Sequence, residues 1–318
     1  MRKFTLTALA VGFCFGAQRA VLVEAFTSQT CIYCPSAAKG VDSLKKVYKD
    51  TVTVVDYVYG LSNSDANVRF SYYDVSGVPT TWFDAKLYVE GGTMGGSMYS
   101  YYAPKVNTRK VIPSPVRIEN VAFWEEGGVM YARATVVLEE DLDESKDPRV
   151  YALITQRNVR AYSDGTISDH MMRDIISSPY GDELGIYDAG DSKEFSWSVS
   201  RSSAWNDTLD LAVWVQYFPV SSREVLQSRQ VVEGTVDVTE GSGAVPRLVR
   251  WLPNGLLVRG EGGEFSLAVY DASGRKVWAT RGRLEGGQAL VSLDGLPKGL
   301  YVAVGKLNGR TFSVSGVR

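Results

Sequence analysis

The sequence holds one histidine, His170, and three cysteines in 318 residues. That scarcity excludes a good deal of chemistry. A zinc site needs several histidine or cysteine ligands, and there is no second histidine here and no cysteine to spare. No Ser-His-Asp set can be argued, and no glycine-rich phosphate loop follows a strand. An excess of one charge is also lacking. Lys+Arg 34 against Asp+Glu 36 gives −2, and the basic residues are unclustered, so no nucleic-acid partner is expected. Long apolar runs are confined to one place. Arg2 and Lys3 precede an uncharged stretch, Phe4 to Ala17, which has the outline of a secretory signal and is too short to span a bilayer. Phe13 is too bulky for lipidation at Cys14. Loss of residues 1–17 removes Arg2, Lys3 and Cys14, which makes the chain −4 and leaves Cys31 and Cys34 as its cysteines. An exported chain with one CxxC has no disulfide scaffold, so the pair is either redox-active or a local staple. No cofactor is expected.

What is present centres on Ala20 to Ser36, AVLVEAFTSQTCIYCPS. Val21, Leu22 and Val23 lack a helical period and predict a buried strand. A polar turn leads to Cys31 and Cys34, with Pro35 directly behind. From Ser36 the period becomes helical, with Val41, Leu44, Val47 and Tyr48 on one side and Lys39, Lys45, Lys46 and Lys49 on the others. A cysteine at a helix start meets free N–H groups and the positive end of the helix dipole, both of which favour thiolate. Cys34 lies one turn further in, close enough to close a disulfide.

Thr51 to Tyr59 predicts a second strand, rich in β-branched and aromatic residues. Asn67 to Tyr73 predicts a short helix, and another is expected within Thr93 to Val111. Between them stands Gly77-Val78-Pro79-Thr80-Thr81-Trp82-Phe83, followed by a hairpin at Asp84-Ala85-Lys86. Pro79 opens a strand there, which a central strand would not ordinarily permit. Strand, CIYCP, helix, strand, GVPTTWF and hairpin together resemble a thioredoxin domain over residues 20 to about 92.

That resemblance implies a thiol-disulfide site with Cys31 and Cys34 as its working pair. It implies a cis Pro79 facing them and a Val78 backbone offered to a bound peptide. It also implies a buried acid serving the second cysteine, near the place of Glu24. The chain departs from the pattern: one extra residue separates Glu24 from Cys31, Thr30 replaces a tryptophan, and Ile32-Tyr33 is neither Pro-His nor Gly-Pro. Redox poise does not transfer across those differences. Tyr33 is expected at the rim of the site and Trp82 in the core.

Ile112-Pro113-Ser114-Pro115 reads as a linker. Six strands follow, VRIENVAFW, VMYARATVVLE, VYALITQRN, EFSWSVS, LDLAVWVQYF and EVLQSRQVV, which argue a β-sandwich. The polar interruption Arg160 to Asp191 holds Met171 to Ser177, expected as one helical turn. Asp164, Asp169 and Asp174 recur at a spacing of five that matches no calcium loop, so they are expected as a solvated acidic loop. Thr235 to Arg247 is a second linker, and the remaining strands form a small β-domain with a hairpin at Asp271 to Gly274.

The fold class expected is therefore multidomain: signal 1–17, an α/β thioredoxin-like domain 18–112, a β-sandwich 113–234, a linker 235–247 and an immunoglobulin-like β-domain 248–318. The domain order with the "DHMMRD" insertion resembles a family of outer-membrane proteins of Gram-negative bacteria. "VYDASGRKV" and "LDGLPKGLYVAVG" resemble the C-terminal sorting domain of type IX secretion. Those resemblances imply export to the periplasm, outer membrane or cell surface, and a secretion machinery as partner. Two functions stay open: an oxidoreductase acting on protein thiols and disulfides, or a surface binding protein that uses the thioredoxin fold as a scaffold.

Overall fold

β1 (Val21–Ser28) is buried along nearly its whole length because both of its faces are covered. The computed structural model places it at the centre of a mixed sheet. It describes residues 16–205, 207–234, 249–252, 255–259, 263–271, 275–284, 288–293, 295–307 and 310–317. Residues 1–15 of the expected signal and all of the expected linker 235–247 lie outside the described residues.

α1 (Cys34–Tyr48) follows β1, and β2 (Val52–Tyr59) returns parallel to it, with Val21 opposite Val52 and Ala25 opposite Asp56. α2 (Ala66–Tyr72) leads to β3 (Thr80–Phe83), antiparallel to β1, and β4 (Leu87–Glu90) closes that edge. The turn at Asp84–Lys86 joins β3 to β4 as expected, with Asp84 and Ala85 at positive φ. α3 (Tyr99–Lys110) ends this part of the chain.

Further on come β5 (Val116–Glu126), β6 (Val129–Leu138), β7 (Pro148–Gln156), β8 (Val159–Arg160), β9 (Ile167–Ser168), β10 (Met171–Ile175), β11 (Asp182–Glu183), β12 (Ser192–Ser200), β13 (Leu209–Tyr217) and β14 (Val225–Val232). The six strands expected for the sandwich are β5, β6, β7, β12, β13 and β14. The expected helical turn at Met171–Ser177 is instead the strand β10. Met171 and Met172 face opposite sides of the sheet, where both are buried, and strand pairing outweighs the local helix signal.

β10 also joins two halves of one sheet. It pairs antiparallel with β7 and parallel with β2, giving the order β14-β13-β7-β10-β2-β1-β3-β4. This sheet takes strands from both sides of residues 112 and 113 in the chain. On one face, Leu22, Phe26, Val55, Tyr57, Tyr151, Leu153, Ala212 and Trp214 form a continuous core beneath α2. On the other face, α1 and α3 cover Val21, Val23, Val52 and Val54, while the sheet β12-β6-β5 covers Val150, Ala152, Ile154 and Leu211. The period of two in each strand supplies both faces.

Among the described residues the last part of the chain forms seven strands and no helix: β15 (Val249–Leu252), β16 (Gly255–Arg259), β17 (Gly263–Asp271), β18 (Lys276–Leu284), β19 (Gln288–Ser292), β20 (Leu300–Leu307) and β21 (Arg310–Val317). They form a three-stranded and a four-stranded sheet around Leu256, Val258, Phe265, Leu267, Val269 and Tyr301. The expected hairpin joins β17 to β18, and Asp271 N–H donates to Arg275 C=O at 3.0 Å. Its turn residues 272–274 lie outside the described residues. Among the described residues no helix is long and apolar enough to cross a membrane.

Candidate active site

β1 delivers the chain to a tight turn. Cys31 N–H donates to Ser28 C=O at 3.2 Å, and Cys34 N–H donates to Cys31 C=O at 3.3 Å. Pro35 stands in the first turn of the helix, where its missing N–H is not needed. Ser36 Oγ donates to Tyr33 C=O at 2.8 Å and accepts from Thr93 N–H at 3.0 Å, which ties the turn to the loop after β4. Cys31 and Cys34 are bonded as a disulfide, with Cα atoms 5.4 Å apart.

The two sulfurs stand in different surroundings. Cys34 is wholly buried against Ala38, Val58, Ala161, Tyr162 and Met171, whereas Cys31 is half-buried. Ile32 is 61 % and Tyr33 42 % exposed, so the rim position expected for Tyr33 is met. The Val78–Pro79 bond is cis, and Cys31 Sγ lies 3.7 Å from Val78 C=O. A Cβ on Gly92 would come within 2.6 Å of Tyr33 C=O, so glycine is required at this close approach. Trp82 is only partly buried, stacked between Tyr73 and Tyr88.

Glu24 does not stand with the cysteines. It points with Leu22 and Phe26 to the opposite face of the sheet. There Arg69 Nη2 donates to its Oε1 at 2.7 Å, Tyr57 OH donates at 3.0 Å, and Tyr73 OH donates to Oε2. The single extra residue before Cys31 turns Glu24 over. The acid on the cysteine face is Asp56, opposite Ala25 in register and two residues before Val58. Asp56 is fully buried with no cation against it. It accepts from Thr27 Oγ1 at 2.8 Å, Tyr162 OH at 2.7 Å and Ser168 Oγ at 2.8 Å. Burial pushes its carboxyl above the usual range, and the three hydroxyls pull the other way.

Tyr162 and Ser168 lie in the segment between β7 and β10, which closes over α1. The same segment brings His170 to Asp42, with Nε2 3.7 Å from Oδ1. At that separation there is no hydrogen bond, and neither Asp42 Oδ1 nor His170 Nδ1 has a hydrogen-bond partner. Burial, with Asp169 and Asp56 nearby, raises Asp42 to about 7. Burial, with Lys45, Arg157 and Lys46 nearby, lowers His170 to about 3. Both directions favour the neutral forms, Asp42 protonated below about pH 7 and His170 unprotonated above about pH 3, despite a spacing that suits an ion pair.

The acidic loop is dispersed. Asp174 accepts from Asn63 Nδ2, Asp164 from Thr166 N–H and Asp169 from Asn158 N–H. Among the described residues no group of three or more His, Cys, Asp or Glu is placed to hold a metal. The sequence did carry a sign of Asp56: an acid inside the apolar strand VTVVDYVY has to find buried partners. Asp42 and His170 gave none, because only the tertiary fold brings them together.

Fold and site define a multidomain, β-rich protein with a bonded cysteine pair at a helix start. No family model and no curated protein matches the chain. A solved structure, HBP35 of Porphyromonas gingivalis, is similar with a TM-score of 0.54 at 19 % identity, covering 95 % of this chain and 99 % of that one. At this identity the likeness is one of fold. Dimeric latent PorU from the same organism (TM-score 0.22, 14 % identity, 64 % of this chain, 20 % of that one) matches too loosely to support an argument. So does the BSP domain of a biofilm associated protein (0.21, 8 %, 75 % and 59 %).

Proposed function

We propose that the chain is an exported thiol-disulfide oxidoreductase of thioredoxin-like fold. The observation that carries this reading is the asymmetry of the pair: Cys31 is reachable beside the cis Val78–Pro79 peptide, and Cys34 is sealed behind it. In the reduced form, the Cys31 thiolate attacks one sulfur of a substrate disulfide. That S–S bond breaks and the electron pair leaves on the other substrate sulfur. The Cys34 thiolate then attacks Cys31 Sγ of the mixed disulfide, closes the Cys31–Cys34 bond and releases the second substrate thiolate. The substrate ends reduced and the protein oxidised. Pro79 shapes the edge on which the substrate lies. Asp56, rather than Glu24, serves the buried cysteine as its acid.

Reduction of insulin in the presence of a thiol donor, with Cys31→Ser as control, tests the assignment. Turnover above the control supports it. Equal rates, with both thiols protected in the native protein, exclude it.

A second reading, a surface binding or adhesion protein with a scaffold disulfide, is favoured by the amount of β-structure in β11 to β21, which lies outside the cluster around the cysteines. In either reading we assign the strands after residue 248 to sorting, in keeping with their resemblance to type IX secretion domains, and place the protein at the outer membrane or cell surface.

A further inference from the structure

β8 and β9 belong to neither of the large sheets. Among the described residues they pair with each other and with no other strand, Val159 opposite Ser168 and Arg160 opposite Ile167. A two-stranded hairpin is marginal in water by itself. This one is held by what it touches. Tyr162 OH donates to Asp56 Oδ2 at 2.7 Å and lies 3.0 Å from Thr27 Oγ1. From the other strand, Ser168 Oγ donates to the same Asp56 oxygen at 2.8 Å. Ser163 N–H donates to Gln29 C=O at 3.2 Å, two residues before Cys31.

The tip is a closed turn as well. Gly165, at a φ of 85°, donates its N–H to Tyr162 C=O at 2.9 Å, and Thr166 N–H and Oγ1 both donate to the Asp164 carboxylate. Shape and place are both fixed. Val159, Ala161 and Tyr162 pack inward, in the cluster that encloses Cys34 and has Cys31 at its edge, while Arg160 and Ile167 are exposed on the outer side.

β1, which delivers Cys31, has β2 on one side and β3 on the other. The hairpin anchors on Asp56 of β2. Val78 and Pro79 lead into β3, with Val78 C=O 3.7 Å from Cys31 Sγ. Cys31 thus lies in a slot between two walls, open where Ile32 and Tyr33 are exposed. The Val78–Pro79 wall lies in the part of the chain that resembles thioredoxin. The hairpin wall, residues 159–168, lies outside it.

We propose that the β8–β9 hairpin sets the substrate class of the Cys31 site: disulfides carried on extended, unfolded polypeptide. The proposal rests on the oxidoreductase reading above. An extended segment can lie along the slot and turn its side chains away from the walls. A disulfide set in a folded surface brings neighbouring chain that collides with the hairpin tip. Ser163 and Asp164 at that tip determine specificity and take no part in the exchange, so their loss changes which disulfides react.

The test places one thionitrobenzoate mixed disulfide on a short linear peptide and another on a surface cysteine of a folded protein. The reduced full chain is added, and the released thionitrobenzoate is followed by absorbance. Deletion of Ser163 and Asp164 should raise the folded-to-peptide rate ratio by about tenfold, the low end of discrimination by pocket shape. Ser163→Trp, at an exposed position, adds bulk to the tip and should lower the same ratio. Thermal melts establish that each variant is folded, and Ser163→Trp decides the matter if the deletion does not fold. An unchanged ratio in a folded variant overturns the proposal. Alkylation of reduced Cys31 by iodoacetamide and by a maleimide on polyethylene glycol reads the same wall without any disulfide substrate. If neither mixed disulfide reacts but deletion raises the bulky-to-small alkylation ratio, the oxidoreductase reading fails and the wall stands. If both react in unaltered proportion, the wall fails and the oxidoreductase stands.

Discussion

Arg69 and Glu24 form an ion pair of 2.7 Å in which neither side chain is more than 1 % exposed. Arg69 also lies between the rings of Tyr151 at 4.9 Å, Tyr72 at 5.0 Å, Tyr73 at 5.1 Å and Trp214 at 5.4 Å, and its Nη2 donates to Gln216 Oε1. The pair thus fastens α2 and β1 to β7 and β13. Its charges do not reach the cysteine face.

Arg69→Met should therefore destabilise the protein by about 3–5 kcal/mol, because it strands a buried carboxylate. Adding Glu24→Gln should recover part of that loss, since no charge is then left unpaired. Glu24→Gln alone should leave the dithiol-disulfide equilibrium unchanged. Urea unfolding measures the first two effects, and glutathione equilibration checks the third.

Cys31 of the reduced protein should alkylate well before Cys34 at neutral pH. It is half-exposed beside a helix start, whereas Cys34 has no solvent contact. Mass mapping of the labelled peptides over time measures the order. Equal slow labelling of both thiols until unfolding would support the scaffold reading.

Asp42 and His170 predict a pH signature. Asp42 is raised from 3.8 to about 7, so the native state binds the extra proton and stability falls as pH rises from about 4 to 7. His170 is lowered from 6.5 to about 3, so the unfolded state binds the extra proton and stability rises from about pH 3 to 6.5. Between pH 4 and 6.5 the two slopes oppose. Asp42→Asn should expose the His170 slope, with the variant gaining up to about 1.4 kcal/mol per pH unit relative to wild type in that window. Thermal melts at pH 4.5, 5.5 and 6.5 provide the comparison. A constant difference between the two proteins across those values would contradict the assignment.

Gly92→Ala should disturb the site with little effect elsewhere. The added Cβ meets Tyr33 C=O at 2.6 Å and Ser36 Oγ at 2.8 Å, so the turn carrying the cysteines has to shift. A cost of about 1–3 kcal/mol is expected from such overpacking. Cys31 alkylation of the folded variant should differ in rate from wild type, which mass mapping at a temperature below its melting point measures.

Deletion of Val249–Arg318 should leave residues 18–234 folded and retain the protein in the periplasm. The deleted strands have a core of their own, Leu256 to Tyr301, apart from the other buried clusters. Unchanged surface delivery of the truncated chain would refute the sorting role.

Much of the secondary structure was legible because it is local. The period of β1, the helical spacing after Ser36 and the alternation of β5, β6, β12 and β13 each follow from side chains a few residues apart. The close approach of the cysteines was legible for the same reason, whereas the cis bond at Pro79 was expected from the resemblance to thioredoxin domains. β10 was not. MMRDI can satisfy either period, and it becomes a strand because gaps beside β2 and β7 await it.

By itself the sequence determined the cysteine pair at a helix start and the order of most of the elements, since composition and short spacing decide those. The tertiary structure alone decided which acid faces the disulfide. One residue of phase turned Glu24 to Arg69 on one side of the sheet and left Asp56, from the next strand, beneath the helix that carries Cys34. A strand's faces alternate with every residue, so a buried acid's role depends on register with its neighbours, and register is a property of the assembled sheet.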